Sequence, residues 1–146
     1  MFPHLHDLYI SSCPKLTLSC LPSVEELEIS CCEEELVESI SSLCGLKSLR
    51  IYRCSKLPTQ LPALEKLVFF YCDELECIPE QVLEALNSLR TLEIDMCIAL
   101  MCLPEVIQHL TSLEVSTVLS TWTAFRLRPW FAGERLFAVG SIRYLY

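Results

Sequence analysis

Apolar residues recur along the chain in a short alternation that is typical of β-strands. The pattern Leu-x-x-Leu-x-Ile-x-x-Cys begins at residue 5, where it includes Leu8, Ile10 and Cys13. Apolar variants that also end in cysteine begin at residues 24, 46, 64 and 89, and another copy opens at Leu113, so the average period is about 22 residues. The Leu-x-Ile core places two apolar side chains on one face of a strand and leaves the residues between them on the other. The sequence therefore predicts a repeating unit with one short strand per repeat.

The segments between the predicted strands favour different conformations. Pro79 and Pro104 are each followed by an acidic residue and then by apolar residues three to four positions apart, which predicts one or two helical turns that begin at the proline. The stretch 36–46 has apolar residues on one helical face, which predicts a third short helix. The stretch 57–64 contains two prolines and is expected to be extended or 3₁₀. The expected fold is an α/β solenoid with a parallel concave β-sheet and an irregular or short-helical convex side.

Ten cysteines in 146 residues raise the question of disulfides, metal binding or a reactive thiol. Half of them occupy the last position of the repeat, where a small side chain with a weak hydrogen-bond donor suits an inward-facing turn. These are Cys13, Cys32, Cys54, Cys72 and Cys97. The others lie elsewhere in the repeats, at Cys20, Cys31, Cys44, Cys77 and Cys102. Because the cysteine spacing follows the repeat, we interpret the repeat-end thiols as structural, and we expect no metal and no cofactor.

Charge and repeat phase both change near residue 114. Residues 1–114 carry a net charge of −11 and residues 115–146 a net charge of +3, which together give −8. Ser116 and Val118 stand where the leucine and isoleucine of a sixth strand are expected. We therefore predict repeats over 1–114, as five full copies and the start of a sixth. Over 115–146 we predict a divergent C-terminal segment, either a poorly ordered tail or an atypical cap, rather than a second domain.

Several classes of function are disfavoured by the sequence. The acidic excess argues against a protein that wraps a nucleic-acid backbone. The longest apolar stretch, 96–104, is too short to span a membrane, and no signal peptide is visible. The acidic run 33–35 and the pair His4 and His6 lack further ligands nearby and are interpreted as solvated. We expect a protein that is not an enzyme, with a reactive-thiol enzyme as the alternative.

The residues that alternate with the apolar strand positions form the predicted exposed face of the sheet. They are Asp7, Tyr9, Ser11, Glu26, Glu28, Ser30, Ser48, Arg50, Tyr52, Lys66, Val68, Phe70, Thr91, Glu93 and Asp95. Tyrosine, arginine and aromatic residues anchor protein interfaces, and carboxylates favour a basic partner. We therefore predict a concave partner-binding face that comprises Tyr9, Glu26, Glu28, Arg50, Tyr52, Lys66, Phe70, Glu93 and Asp95.

Two motifs carry a resemblance to a known family. The unit L-x-I-x-x-C-x-x-L, as in residues 2–16 and 46–54, and the unit L-P-E-x-I-x-x-L-T-S-L at 103–113 resemble the repeats of plant nucleotide-binding leucine-rich-repeat (NB-LRR) disease resistance proteins. The resemblance covers about residues 2–114 and implies a segment of a leucine-rich-repeat horseshoe. It also implies a non-catalytic sensor region of a cytoplasmic plant immune receptor. Its partner would be a pathogen effector, a host target or the receptor's own nucleotide-binding domain.

The resemblance does not extend to nucleotide binding. The phosphate-binding pattern G-x-x-x-x-G-K-[ST] does not occur in the sequence. Because residues 1–4 lead directly into the first repeat without a capping segment, we expect the chain to be a fragment of a longer repeat domain or a truncated gene model. The alternative function is the leucine-rich-repeat substrate-recognition arm of an F-box type ubiquitin-ligase complex.

Overall fold

The computed structural model describes residues 4–19, 21–100, 104–113, 115–119 and 141–143. Within these ranges, seven strands form one sheet in which every neighbouring pair is parallel and the strands follow chain order. The strands are β1 (Asp7–Ser11), β2 (Glu26–Ser30), β3 (Ser48–Tyr52), β4 (Lys66–Phe70), β5 (Thr91–Asp95), β6 (Val115–Leu119) and β7 (Ser141–Arg143). One strand in each of the five predicted repeats is therefore confirmed, and a parallel sheet with few helices is compatible with an α/β fold.

Successive strands pair in register, so that equivalent positions of the repeats lie side by side. The second strand position forms one apolar row and the fourth position another: Leu8, Leu27, Leu49, Leu67 and Leu92; Ile10, Ile29, Ile51, Phe69 and Ile94. All of them except Leu8 are at most 5% exposed. Leu8 is half-buried because β1 lies at the edge of the sheet, with only β2 beside it. The core therefore consists of rows that run across the strands on one face of the sheet.

The helices are short and lie between the strands. Helix α1 (Glu34–Ser39) continues into a 3₁₀ turn (Ile40–Ser42), α2 is Glu80–Glu84, and a second 3₁₀ turn covers Glu105–His109. Both prolines predicted to begin helical turns directly precede one, in extended conformation. A proline fits there because it has no N–H to leave unpaired and its fixed φ suits helix entry. The stretch 57–64 contains no helical turn, as predicted.

Each of β1 to β5 ends in a left-handed turn that the sequence pattern does not reveal. The residue after the strand has a φ of 51–52° and is never glycine: it is Ser12, Cys31, Arg53, Tyr71 or Met96. Its N–H donates to the last carbonyl of the next strand in four of the five repeats; Cys31 N, for example, lies 3.0 Å from Tyr52 O. The left-handed conformation costs a non-glycine residue about 1–2 kcal/mol. Stacking of neighbouring repeats has to offset that cost.

The cysteine of each repeat follows the left-handed residue. Its Sγ donates to the carbonyl oxygen two residues earlier, at 3.2–3.5 Å in all five repeats. Cys54, Cys72 and Cys97 are buried, as predicted, whereas Cys13 and Cys32 are only half-buried because they lie near the β1 edge. None of the eight cysteines described is in a disulfide, and the other two, at 20 and 102, lie outside the described residues.

Alkylation of the native protein should separate these thiols by burial. Burial raises the pKa of Cys54 from 9.0 to about 11, which leaves about a hundredfold less thiolate near pH 8. The pKa of Cys72 is raised by the hydrogen bond that it shares with Cys97, and further by burial; the same bond lowers the pKa of Cys97. We expect iodoacetamide to modify the exposed Cys31, Cys44 and Cys77 about a hundred times faster than Cys54, as measured by peptide mass spectrometry. In urea the rates should converge, and rapid native alkylation of Cys54 or Cys72 would contradict a structural role. Cys97 should also react slowly, despite its lowered pKa, because its side chain is fully buried.

The sheet continues past the predicted boundary at residue 114. Strand β6 pairs with β5 so that Ser116 lies opposite Leu92 and Val118 opposite Ile94. The positions that lack the expected leucine and isoleucine therefore keep the strand register, which backbone hydrogen bonding holds without regard to side-chain type. The prediction of a divergent tail or cap over 115–146 stays a prediction, because most of that segment lies outside the described residues.

Candidate partner-binding face

Alternate residues of β1 to β5 form one continuous surface, which we call the exposed sheet face. In register, its three rows are Asp7, Glu26, Ser48, Lys66 and Thr91; Tyr9, Glu28, Arg50, Val68 and Glu93; Ser11, Ser30, Tyr52, Phe70 and Asp95. With strands about 4.8 Å apart, the face is about 20 Å across. All nine predicted partner-binding residues lie on it, and Tyr9 and Glu26 are the most open of them, since the other seven are half-buried.

Val68 is buried, although the alternation pattern predicts that it is exposed on this face. It is only 1% exposed, although it lies outside the core cluster on the opposite side of the sheet. Its neighbours in the middle row are Arg50 and Glu93. A short branched side chain between two long ones is shielded from water by their aliphatic stems. The prediction that Val68 is exposed was therefore wrong.

The two cations of the face are held in ion pairs. Arg50 Nη1 lies 3.6 Å from Glu28 Oε2 on the adjacent strand, and Lys66 Nζ lies 3.1 Å from Glu93 Oε1. Both pairs are partly exposed, so each stabilises the fold by about 1 kcal/mol or less. Their main consequence is to fix the positions of four charged groups and to leave Asp7, Glu26 and Asp95 without an ion pair among the described residues.

Aromatic side chains lie on the exposed sheet face at the carboxyl ends of β3 and β4. The rings of Tyr52 and Phe70 stack with centroids 5.1 Å apart and planes inclined by 10°. Desolvation and the nearby Glu28 carboxylate raise the pKa of the Tyr52 hydroxyl, which keeps it neutral. Just past the strand ends, the Arg53 guanidinium lies 5.9 Å from the centroid of the Tyr71 ring. This arrangement provides a rigid apolar platform with a cation–π pair beside it.

A concavity of about 320 Å³ lies on the face at β1 to β3. Among its lining residues are Asp7, Tyr9, Glu26, Glu28 and Arg50. Tyr9 is 63% exposed, the largest exposure of any bulky apolar side chain in the described part of the chain. Asp7 is not among the nine predicted residues, and the concavity itself depends on the relative heights of neighbouring side chains, which the alternation pattern does not encode.

Among the described residues, no three His, Cys, Asp or Glu side chains are grouped so that they could hold a metal ion. The acidic run 33–35 lies at the start of α1 and is exposed, as are His4 and His6. No helix in the described ranges has the length and apolar character needed to cross a membrane.

The chain matches no protein-family model, and no curated protein matches it. What the protein does must therefore be inferred from the geometry of the exposed sheet face.

Proposed function

We propose that this chain is a leucine-rich-repeat solenoid segment whose exposed sheet face binds a protein partner, without catalysis. The observation that carries the proposal is the composition of that face. It joins a stacked aromatic pair to carboxylates that form no ion pair with any described residue, on a surface fixed by five strands in register. Aromatic anchors surrounded by oriented charges are characteristic of protein interfaces.

The solenoid assignment rests on the way each repeat closes. Parallel neighbours in chain order, a left-handed residue after each strand of the five repeats, and a cysteine that bonds to the strand's carbonyl recur with the sequence period. Each strand pairs only with its neighbours in chain order, and such nearest-neighbour stacking is the physical basis of repeat proteins. These regularities support a leucine-rich-repeat horseshoe segment.

The resemblance of the repeat motifs to plant NB-LRR proteins supports a more specific proposal. The chain would belong to the sensor region of a disease resistance receptor in the cytoplasm. Its partner would be a pathogen effector, a host target or the receptor's own nucleotide-binding domain. The acidic, aromatic face suits any of these, since each is a protein surface.

Photo-crosslinking tests whether the face binds a protein. We expect a benzoylphenylalanine at position 9, on the face, to give discrete adducts in plant leaf extract. The matched control is position 98, because Ile98 is 60% exposed, close to the 63% of Tyr9, but lies outside the face. Equal adduct patterns at the two positions, or no adducts from position 9 above the control, would contradict the proposal.

A further inference from the structure

The β1 to β3 end of the exposed sheet face has the properties of a receptor for a cationic side chain. We propose that the partner presents a basic segment, with one Arg or Lys side chain seated in the concavity and an apolar side chain on the Tyr52–Phe70 pair. This inference rests on the proposed function, and it adds the chemistry of the partner.

Charge complementarity is the first reason. Five carboxylates of the face stand against two cations, and both cations are already in ion pairs. Asp7 and Glu26 line the concavity without such a partner among the described residues. An arriving cation would therefore meet uncompensated negative charge, whereas an acidic segment would be repelled.

The Tyr9 ring is the second reason. It lines the same concavity and is 63% exposed, so its ring is open to a ligand. A cation within about 6 Å of an aromatic face is attracted by the ring's quadrupole. The protein itself forms such a contact between Arg53 and Tyr71, at 5.9 Å. Carboxylates and an open ring around one cavity match a guanidinium or ammonium group better than a neutral side chain.

The distance between the two anchors fixes their spacing in the partner. The concavity is centred near β2, and the aromatic pair joins β3 to β4, so the two lie about 7–10 Å apart across the strands. They are also offset by about 7–10 Å along the strands, because the third row lies two to three residues beyond the first two rows. An extended chain advances about 3.3 Å per residue, so the cationic and apolar side chains should stand three or four positions apart.

The test is an NMR titration of the ¹⁵N-labelled 146-residue chain with the peptide acetyl-Arg-Gly-Gly-Phe-amide. We expect saturable shifts of the Tyr9, Glu26 and Tyr52 amides. The peptides acetyl-Glu-Gly-Gly-Phe-amide and acetyl-Arg-Phe-amide should bind about fivefold more weakly or worse. Raising the ionic strength should weaken only the arginine peptides, because screening acts on the charge contact.

Protein variants locate the binding site. The double variant Asp7→Asn/Glu26→Gln should weaken binding of the arginine peptide about fivefold, while the shift of the Tyr52 amide at saturation is kept. Glu74→Gln/Glu84→Gln is the matched control, because both carboxylates are exposed and lie off the face. Equal binding of the glutamate peptide, equal effects of the two double variants, or no saturable shift would overturn the inference.

The two proposals fail in different ways. If position 9 crosslinks a protein but the arginine peptide does not bind, the recognition face stands and the basic segment is wrong. If the peptide binds but position 9 yields no adducts above position 98, the cation site stands and the proposed recognition of a protein is wrong.

Discussion

Phe69→Ala is expected to lower the free energy of unfolding by about 3–5 kcal/mol. Phe69 is fully buried in β4 and lies in register between Ile51 and Ile94. Its ring fills more of the core than the isoleucines found at this position in the neighbouring repeats. Because those repeats are held by backbone pairing on both sides of β4, they cannot close around the space that the ring leaves. Urea unfolding followed by circular dichroism measures the loss.

Two further variants show whether the loss of stability comes from the buried row at the fourth strand position. Val68→Ala removes a neighbouring side chain that is equally hidden from water but lies outside the core cluster, so its expected cost is only about 1–2 kcal/mol. Phe69→Ile installs the residue type of β3 and β5 and should restore most of the stability lost in the alanine variant. If Val68→Ala lowered the free energy of unfolding as much as Phe69→Ala, the buried row at the fourth strand position would not be the main source of stability at β4.

The sequence predicts the strands of this fold well because one period carries both the repeat and the alternation. Leu49 and Ile51 are separated by one residue and recur at the same phase in the other repeats, and only a strand buries both on one face. Pro79 and Pro104 likewise mark where helical turns begin, since the ring restricts the backbone locally. The strands and the starts of the helical turns are determined by a few consecutive residues, which is why the sequence pattern predicts them.

Features that depend on neighbouring repeats were not predictable in the same way. The strand alternation places Val68 on the exposed sheet face, but its neighbours on β3 and β5 bury it. Met96 and Arg53 adopt a left-handed conformation that their residue types disfavour, because repeat stacking imposes it. The composition of the candidate site follows from the strand phase, whereas the concavity beside Tyr9 arises from packing between three strands.

Gly45→Ala is expected to destabilise the protein by about 1–3 kcal/mol. A Cβ at this position would lie 2.9 Å from the carbonyl oxygen of Pro22 in the preceding repeat, closer than such atoms approach in proteins. The obstacle is backbone rather than a flexible side-chain end. That backbone belongs to a turn closed by a hydrogen bond from Val24 N to Leu21 O at 3.2 Å. Relief would therefore require two repeats to move apart, against the sheet register that joins them.

The matched control is Ala63→Gly, one repeat further along. Gly45 and Ala63 both stand one residue before the apolar position that leads into a strand. The equivalent residue is serine in three other repeats, at positions 23, 88 and 112, and His4 in the first. Ala63 already carries a Cβ, so its replacement should cost no more than about 0.5–1 kcal/mol, from chain entropy alone. Gly45→Val should exceed Gly45→Ala, because a branched side chain enlarges the overlap. A neutral Gly45→Ala, measured by urea unfolding, would show that the spacing between these repeats is set by side-chain packing and not by contact of their turns.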